Sequence, residues 1–209
     1  MKRVYWFGLA GVFALALVAG IGWWALLPGA SRAVPQPAAM TVPGVAIGGA
    51  FSLTDHTGRS VTDETFRGKY LLVFFGFTAC PDVCPTGLMT AAQTMNQLEP
   101  EAAKVQPLFI TVDPERDTPE QMAQYVAQFD PRLVGLTGTP EQIREAAGRY
   151  RVYYAKQKPK EGDFYLVDHT AFFYLMDPAG KAVGIFRHSA TPEDVAASIK
   201  AHMTKVAQG

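Results

Sequence analysis

The chain has 209 residues, with 19 basic and 19 acidic side chains and a formal net charge of zero. That balance excludes the basic footprint of a nucleic-acid-binding protein and gives no pull toward an acidic partner surface. The length suits one domain that builds its own core, with an additional segment outside it.

The first element in chain order is apolar. Lys2 and Arg3 precede an uncharged run from Val4 to Leu27. As a helix this run measures roughly 36 Å, enough to cross a hydrocarbon core of about 30 Å with some tilt. Trp6 lies near one end and Trp23 and Trp24 near the other, where interfacial aromatics are expected. The leading charges keep the start in the cytoplasm and export the rest. A cleaved secretory signal is the other reading, but the run is long for one and no clean A-x-A site follows. No cysteine follows the run, so a lipid-anchored start is excluded. With no Arg- and Ser-rich transit peptide ahead of it, the expectation is a single-pass anchor over residues 1–27 in a bacterial inner membrane. Pro28, Pro35, Pro37 and Pro43 then mark a semi-extended linker, residues 28–47. Residues 48–209 form the exported, periplasmic domain.

That domain alternates strands and helices. Phe51-Ser52-Leu53 and the stretch from Arg59 flank the turn Asp55-His56-Thr57-Gly58, a hairpin pattern. Tyr70 to Gly76 is a continuous apolar run, as expected of a buried central strand. Leu108–Val112 and Leu133–Leu136 are shorter runs of the same kind. Ala171–Met176 and Ala182–Phe186 flank Asp177-Pro178-Ala179-Gly180, a second hairpin. Three helices open alike, at Thr118-Pro119-Glu120, Thr139-Pro140-Glu141 and Thr191-Pro192-Glu193. Thr caps, Pro suits the first helical position, and Glu favours the positive helix end. Gln121 and Gln142 add capping-box signals to the first two. A hairpin, a βαβ core and a second hairpin closed by a helix predict an α/β, thioredoxin-like sandwich with a central mixed sheet.

Both cysteines of the chain fall in one string, Cys80-Pro81-Asp82-Val83-Cys84-Pro85, between the buried strand and a helix running to about Leu98. Two thiols so placed can share a metal, cycle as a dithiol and disulfide, or form a staple. The staple is weakest, since closing so short a loop is worth about 2 kcal/mol. Cys84 falls near the helix N-cap, where the dipole stabilises a thiolate. The thiolate both binds metal and attacks disulfides, so position supports both of those readings.

Phe77-Thr78-Ala79-Cys80-Pro81-Asp82-Val83-Cys84-Pro85 resembles the C-P-D-V-C-P signature of the Sco/SenC family. Thr111-Val112-Asp113-Pro114-Glu115-Arg116-Asp117-Thr118-Pro119 resembles its second motif, and Val167-Asp168-His169-Thr170-Ala171-Phe172 its third. The order is the family's, and three separate motifs are far more specific than a lone C-x-x-x-C. The resemblance implies a thioredoxin-like fold, copper binding and a part in building the dinuclear copper centre of cytochrome c oxidase. Its implied copper ligands are Cys80, Cys84 and His169. Its implied partners are the oxidase's copper-site subunit and a periplasmic copper donor. Two soft thiolates and a borderline imidazole suit Cu(I), with room for a further ligand on oxidation to Cu(II). A closed structural zinc site wants four protein ligands, and no other cysteine is available.

On its own, a single His beside an apolar strand is ordinarily a hydrogen-bonded core residue; the third motif is what singles out His169. His56 in a turn, His188 after a strand and His202 in the last helix have weaker cases. Met89 offers a thioether but stands at a spacing typical of core. Asp82 and Asp113 fit capping and turn roles as well as tuning or partner contact. Lys156, Lys158 and Lys160, with Pro159 and Gly162, look like a solvated loop that could carry His169.

Three function classes follow. The first is a copper chaperone, not an enzyme in the strict sense. The second is a thiol-disulfide reductase using Cys80 and Cys84 on the cysteines of an oxidase copper site. The third, a peroxidase, is disfavoured because Phe77 and Pro81 stand where peroxiredoxins carry Thr. The reductase is disfavoured by a C-x-x-x-C spacing and by His169 where oxidoreductases keep a proline. Metal and disulfide exclude each other at one cysteine pair, so both roles fit one cycle.

Overall fold

The computed structural model describes residues 46–159 and 164–207. The predicted anchor, most of the linker and Lys160 to Asp163 lie outside the described residues. Among those described, no helix is long and apolar enough to cross a membrane.

Among the described residues, nine strands and four helices follow one another with two short 3₁₀ turns, Asp63–Phe66 and Glu101–Lys104. The strands are β1 (Ser52–Asp55), β2 (Ser60–Thr62), β3 (Tyr70–Gly76), β4 (Val105–Thr111), β5 (Val134–Thr137), β6 (Tyr154–Lys156), β7 (Val167–His169), β8 (Phe172–Met176) and β9 (Ala182–Arg187). The helices are α1 (Val83–Gln97), α2 (Pro119–Val126), α3 (Pro140–Arg149) and α4 (Pro192–Ala207). Seven strands form one mixed sheet in the order β2-β1-β5-β4-β3-β8-β9, and β6 pairs with β7 in a separate ribbon.

The central strand is the one with the longest apolar run. Every residue of β3 is buried, because β4 pairs parallel on one side and β8 antiparallel on the other while helices cover both faces. On one face Phe74 packs against Phe109 and Phe173, and Phe109 against Tyr125 of α2. Gly87 lets α1 settle on that face, since a Cβ there would sit 2.9 Å from the Phe74 ring. On the other face Phe75 meets Tyr150, which caps α3, and Tyr174.

The predicted caps form with one difference. Thr118, Thr139 and Thr191 each accept a backbone N–H of their helix, from Gln121, Gln142 and Asp194. Only Gln142 reaches back to its cap residue, closing a capping box. β4 begins three residues before the predicted run, because Val105, Gln106 and Pro107 continue the ladder with β3. The stretch expected to be a solvated loop instead starts and ends in strands: Tyr154 pairs with His169, Ala155 with Asp168 and Lys156 with Val167.

Candidate metal centre

The site lies at the carboxyl ends of two adjacent parallel strands, where open α/β sheets place their ligands. β3 ends at Gly76 and releases the cysteine loop; β4 ends at Thr111 and releases residues 113–117. The two exits stay together because Val112 N–H donates to the Gly76 carbonyl at 2.7 Å.

Cys84 lies in the first turn of α1 and is fully buried, whereas Cys80 in the preceding loop is partly exposed. Both are free thiols. Cys84 fits only because β3 ends in glycine: a Cβ on Gly76 would fall 2.5 Å from the Cys84 sulfur. The Cys84 N–H donates to the Cys80 sulfur at 3.4 Å. The environment splits the pair. A hydrogen bond from the Cys84 side chain, opposed by burial and helped by the Asp82 and Cys84 N–H groups, brings Cys80 down to about 5. The same side-chain bond, with burial and the charge on Cys80, pushes Cys84 far above the thiol range.

His169 comes from the ribbon. Its Nε2 lies 3.5 Å from the Cys84 sulfur, and its Nδ1 lies 3.0 Å from the Val167 carbonyl. A carbonyl only accepts, so Nδ1 carries the proton and the Nε2 lone pair faces the sulfur. This second-sphere bond is the device that orients metal-binding imidazoles. Phe77 closes over the ring edge-on, with centroids 5.5 Å apart.

Residues 113–117 bracket the two halves. Asp117 is buried and takes Thr78 N–H at 3.1 Å, Thr78 Oγ1 at 2.6 Å and Thr111 Oγ1 at 2.5 Å, which holds the start of the cysteine loop. Burial raises its pKa against those bonds. Asp113, also buried, pairs with Arg116 and accepts Tyr165 O–H at 2.8 Å. Arg116 donates to the Tyr165 carbonyl at 3.0 Å and stacks on the Tyr165 ring at 3.8 Å, with its guanidinium 5.8 Å from the centre of the Phe77 ring. Lys156 of β6 reaches Glu115 at 2.6 Å.

The three sequence-predicted ligands thus meet at one place, with a qualification of geometry. Among the described residues no three His, Cys, Asp or Glu side chains are grouped closely enough to hold a metal as they stand. Cys84 and His169 are in contact, while the Cys80 sulfur is turned to the Cys84 N–H. Met89 is exposed on α1 rather than in the core. His56 accepts Gly135 N–H at 3.0 Å, His188 is exposed, and His202 Nδ1 lies 2.8 Å from the Ser198 carbonyl. Asp82 is the N-cap residue of α1 but its side chain makes no capping bond. Sequence reasoning noticed Asp113 without its partners and missed the bracketing roles of Thr78, Arg116, Asp117 and Tyr165. Their signal was the dense charge of Asp113-Pro114-Glu115-Arg116-Asp117 between a buried strand and a capped helix.

A seven-stranded mixed sheet flanked by helices, with a dithiol loop at the carboxyl end of its central strand and an imidazole facing it, defines a thioredoxin-like domain built around a cysteine pair and a histidine. The chain belongs to the SCO1/SenC family, whose description matches residues 40–204. It is 43% identical to Protein sco1 of Schizosaccharomyces pombe, over 93% of this chain and 77% of that protein. It is 46% identical to the human mitochondrial SCO1 homolog, over 75% of this chain and 53% of the longer human protein. Among solved structures, copper-bound ScoI of Bradyrhizobium japonicum superposes with a TM-score of 0.70 at 49% identity, covering 75% of this chain and 99% of that one. BsSco, described as a member of the Sco family of cytochrome c oxidase assembly proteins with a disulfide switch, gives 0.62 at 28% identity, covering 79% and 98%.

Proposed function

We propose that this protein is a membrane-anchored copper chaperone of the bacterial periplasm that delivers copper to, or prepares, the dinuclear copper centre of cytochrome c oxidase. Cys80, Cys84 and His169 hold the copper, as Cu(I) and, with a further ligand, as Cu(II). The observation that carries this reading is the His169 Nε2 lone pair, fixed by the Val167 carbonyl and set 3.5 Å from a buried thiol. The donor chemistry fits: two sulfurs and one imidazole are a soft set that copper favours. Cys80 completes it by rotating its side chain from the Cys84 N–H toward His169. One ligand that is partly exposed and easily turned suits a cargo that must be handed on. Tyr153 and Phe164, 66% and 62% exposed beside the His169 ribbon, offer apolar contact to an acceptor protein. Copper-bound Sco neighbours of similar fold support the same cargo. Residues 1–27 supply the anchor and the linker holds the domain off the membrane.

The split between the thiols favours one second reading, reduction of a disulfide on the oxidase copper site. The Cys80 thiolate attacks one sulfur of that disulfide and expels the other as a thiolate. Cys84 then loses its proton and attacks Cys80, which frees the second sulfur. Two electrons pass to the substrate, Cys80 and Cys84 end as a disulfide, and an external dithiol restores them.

Copper stoichiometry on the domain from about residue 45, reduced and anaerobic, separates the two readings. One Cu(I) per chain, lost or much weakened in Cys80→Ser, Cys84→Ser and His169→Ala, is the expected result. Binding indifferent to His169 overturns the chaperone reading and turns attention to disulfide reduction.

A further inference from the structure

Arg116 is rooted in the sulfur half of the centre and reaches into the imidazole half. Its backbone N–H closes a turn on the Asp113 carbonyl at 3.2 Å, and the next residue, Asp117, holds Thr78 at the start of the cysteine loop. The guanidinium then crosses to the other half by two routes, and both end at His169. By the first, Nη1 donates to the Tyr165 carbonyl at 3.0 Å. That carbonyl lies two residues before Val167, whose own carbonyl is 3.0 Å from His169 Nδ1. By the second, the guanidinium lies 5.8 Å from the centre of the Phe77 ring, and Phe77 meets the imidazole edge-on with centroids 5.5 Å apart.

Stability alone does not select this arrangement. The Arg116 side chain is 27% exposed and its partner Asp113 is wholly buried, and well-packed apolar residues often match or exceed such a pair. Nη2 is buried with no hydrogen-bond partner among the described residues, so one donor is desolvated without return. What Arg offers here is shape. One planar group bonds Asp113 through Nε, bonds a carbonyl through Nη1 and stacks on the Tyr165 ring at 3.8 Å. Lys carries the same charge at a single point and cannot do all three.

We propose that Arg116 is a positioning residue for His169, holding the ribbon and Phe77 so that the imidazole faces the cysteine loop before copper arrives. This rests on the copper reading above.

The test is a double-mutant cycle. Arg116→Lys is made in wild type and in His169→Ala, and Cu(I) affinity is measured by competition with a chromophoric chelator. In wild type the affinity should fall about tenfold. In His169→Ala the residue that Arg116 serves is gone, so the further change should stay within about twofold. Arg132→Lys is the control: Arg132 is also partly exposed and pairs with a buried carboxylate, Asp130, but it lies ahead of β5, at the opposite end of the sheet. It should leave Cu(I) affinity unchanged. A second variant separates position from stability. Asp113→Asn with Arg116→Met removes the charge pair and keeps an acceptor for the Tyr165 O–H. It should unfold at the same or a higher denaturant midpoint than wild type, yet bind Cu(I) as weakly as Arg116→Lys. Wild-type affinity in either variant overturns the proposal. So does an equal loss from Arg116→Lys in both backgrounds, or an equal loss in Arg132→Lys, since Arg116 would then act on the fold at large. Wild-type binding that is indifferent to His169 instead overturns the copper reading, and this proposal with it.

Discussion

β3 is buried along its whole length and paired on both sides, whereas β6 and β7 are three residues each and pair only with one another. The first region carries the two sulfurs and the second the imidazole. The sulfur half inherits its position from the core, where close packing leaves few alternative arrangements. The nitrogen half is held by polar links: Tyr165 to Asp113 and Arg116, and Lys156 to Glu115. Polar links near the surface open more readily than packed strands. One centre therefore has a rigid wall and a wall that can yield, an arrangement suited to taking up and releasing a ligand.

The comparison breaks most severely at Asp117. Replacing it with Ala leaves Thr78 N–H and the Thr78 and Thr111 hydroxyls without their acceptor. A loss of about 3 kcal/mol in global stability follows, at about 1–3 for each buried group stranded and less than additive. Urea unfolding of the metal-free domain measures it. A loss confined to the ribbon, with β3 amides still protected, would show that Asp117 belongs to the other wall.

Gly76→Ala comes next. Its new methyl must displace the Cys84 sulfur or the Phe109 ring, at contacts of 2.5 and 2.8 Å, and overpacking of this kind costs about 1–3 kcal/mol. Because the sulfur is the smaller obstacle, Cys84 should also become more accessible to thiol reagents. Unchanged stability and unchanged Cys84 reactivity would mean that the rigid wall is softer than its packing indicates.

Tyr165→Phe tests the yielding wall alone. It removes the O–H that Asp113 accepts at 2.8 Å and keeps the ring under Arg116. About 1 kcal/mol is expected, appearing as roughly fivefold faster amide exchange at residues 165–169 with β3 exchange unmoved. Equal acceleration in β3 would join the two walls into one cooperative unit and remove the contrast.

The same contrast explains what could be read in the sequence. β3 announced itself because a strand buried on both faces must be apolar at every position, and Tyr70 to Gly76 has that pattern. The three Thr-Pro-Glu caps were legible because capping is local, settled within four residues. The β6–β7 ribbon was not, since three-residue strands that each carry a charged residue, Lys156 and Asp168, are too short to show an alternation. The bracket escaped for another reason: Asp117 meets Thr78 across 39 positions, and Asp113 meets Tyr165 across 52. Motif matching gathered the segments that hold Cys80, Cys84 and His169 but left their distances open. The orientation of His169 depends on the Val167 carbonyl, a backbone group that no side-chain pattern reveals.

The smallest expected effect lies within the rigid wall, between its two sulfurs. Cys80 ionises as pH rises through about 5, while Cys84 is held protonated by the bond it gives to Cys80 and by burial. Above that value the exposed sulfur is the nucleophile and the buried one is not. Iodoacetamide at about pH 6.5 should therefore alkylate Cys80 far ahead of Cys84, and the Cys80 rate should fall as pH drops through the region of its own ionisation. Peptide mass spectrometry of the metal-free, reduced domain reads both rates at once. The sign is specific: a profile that keeps climbing up to the ordinary thiol range, near pH 8.5, would show that the Cys84 side chain and the helix N-terminus do not stabilise charge on Cys80. The direction also separates reactivity from ligation. A Cys84→Ser variant loses the side-chain thiol that lowers Cys80, so its Cys80 profile should move upward in pH, whereas His169→Ala, which leaves that thiol and the Asp82 and Cys84 N–H donors in place, should move it less.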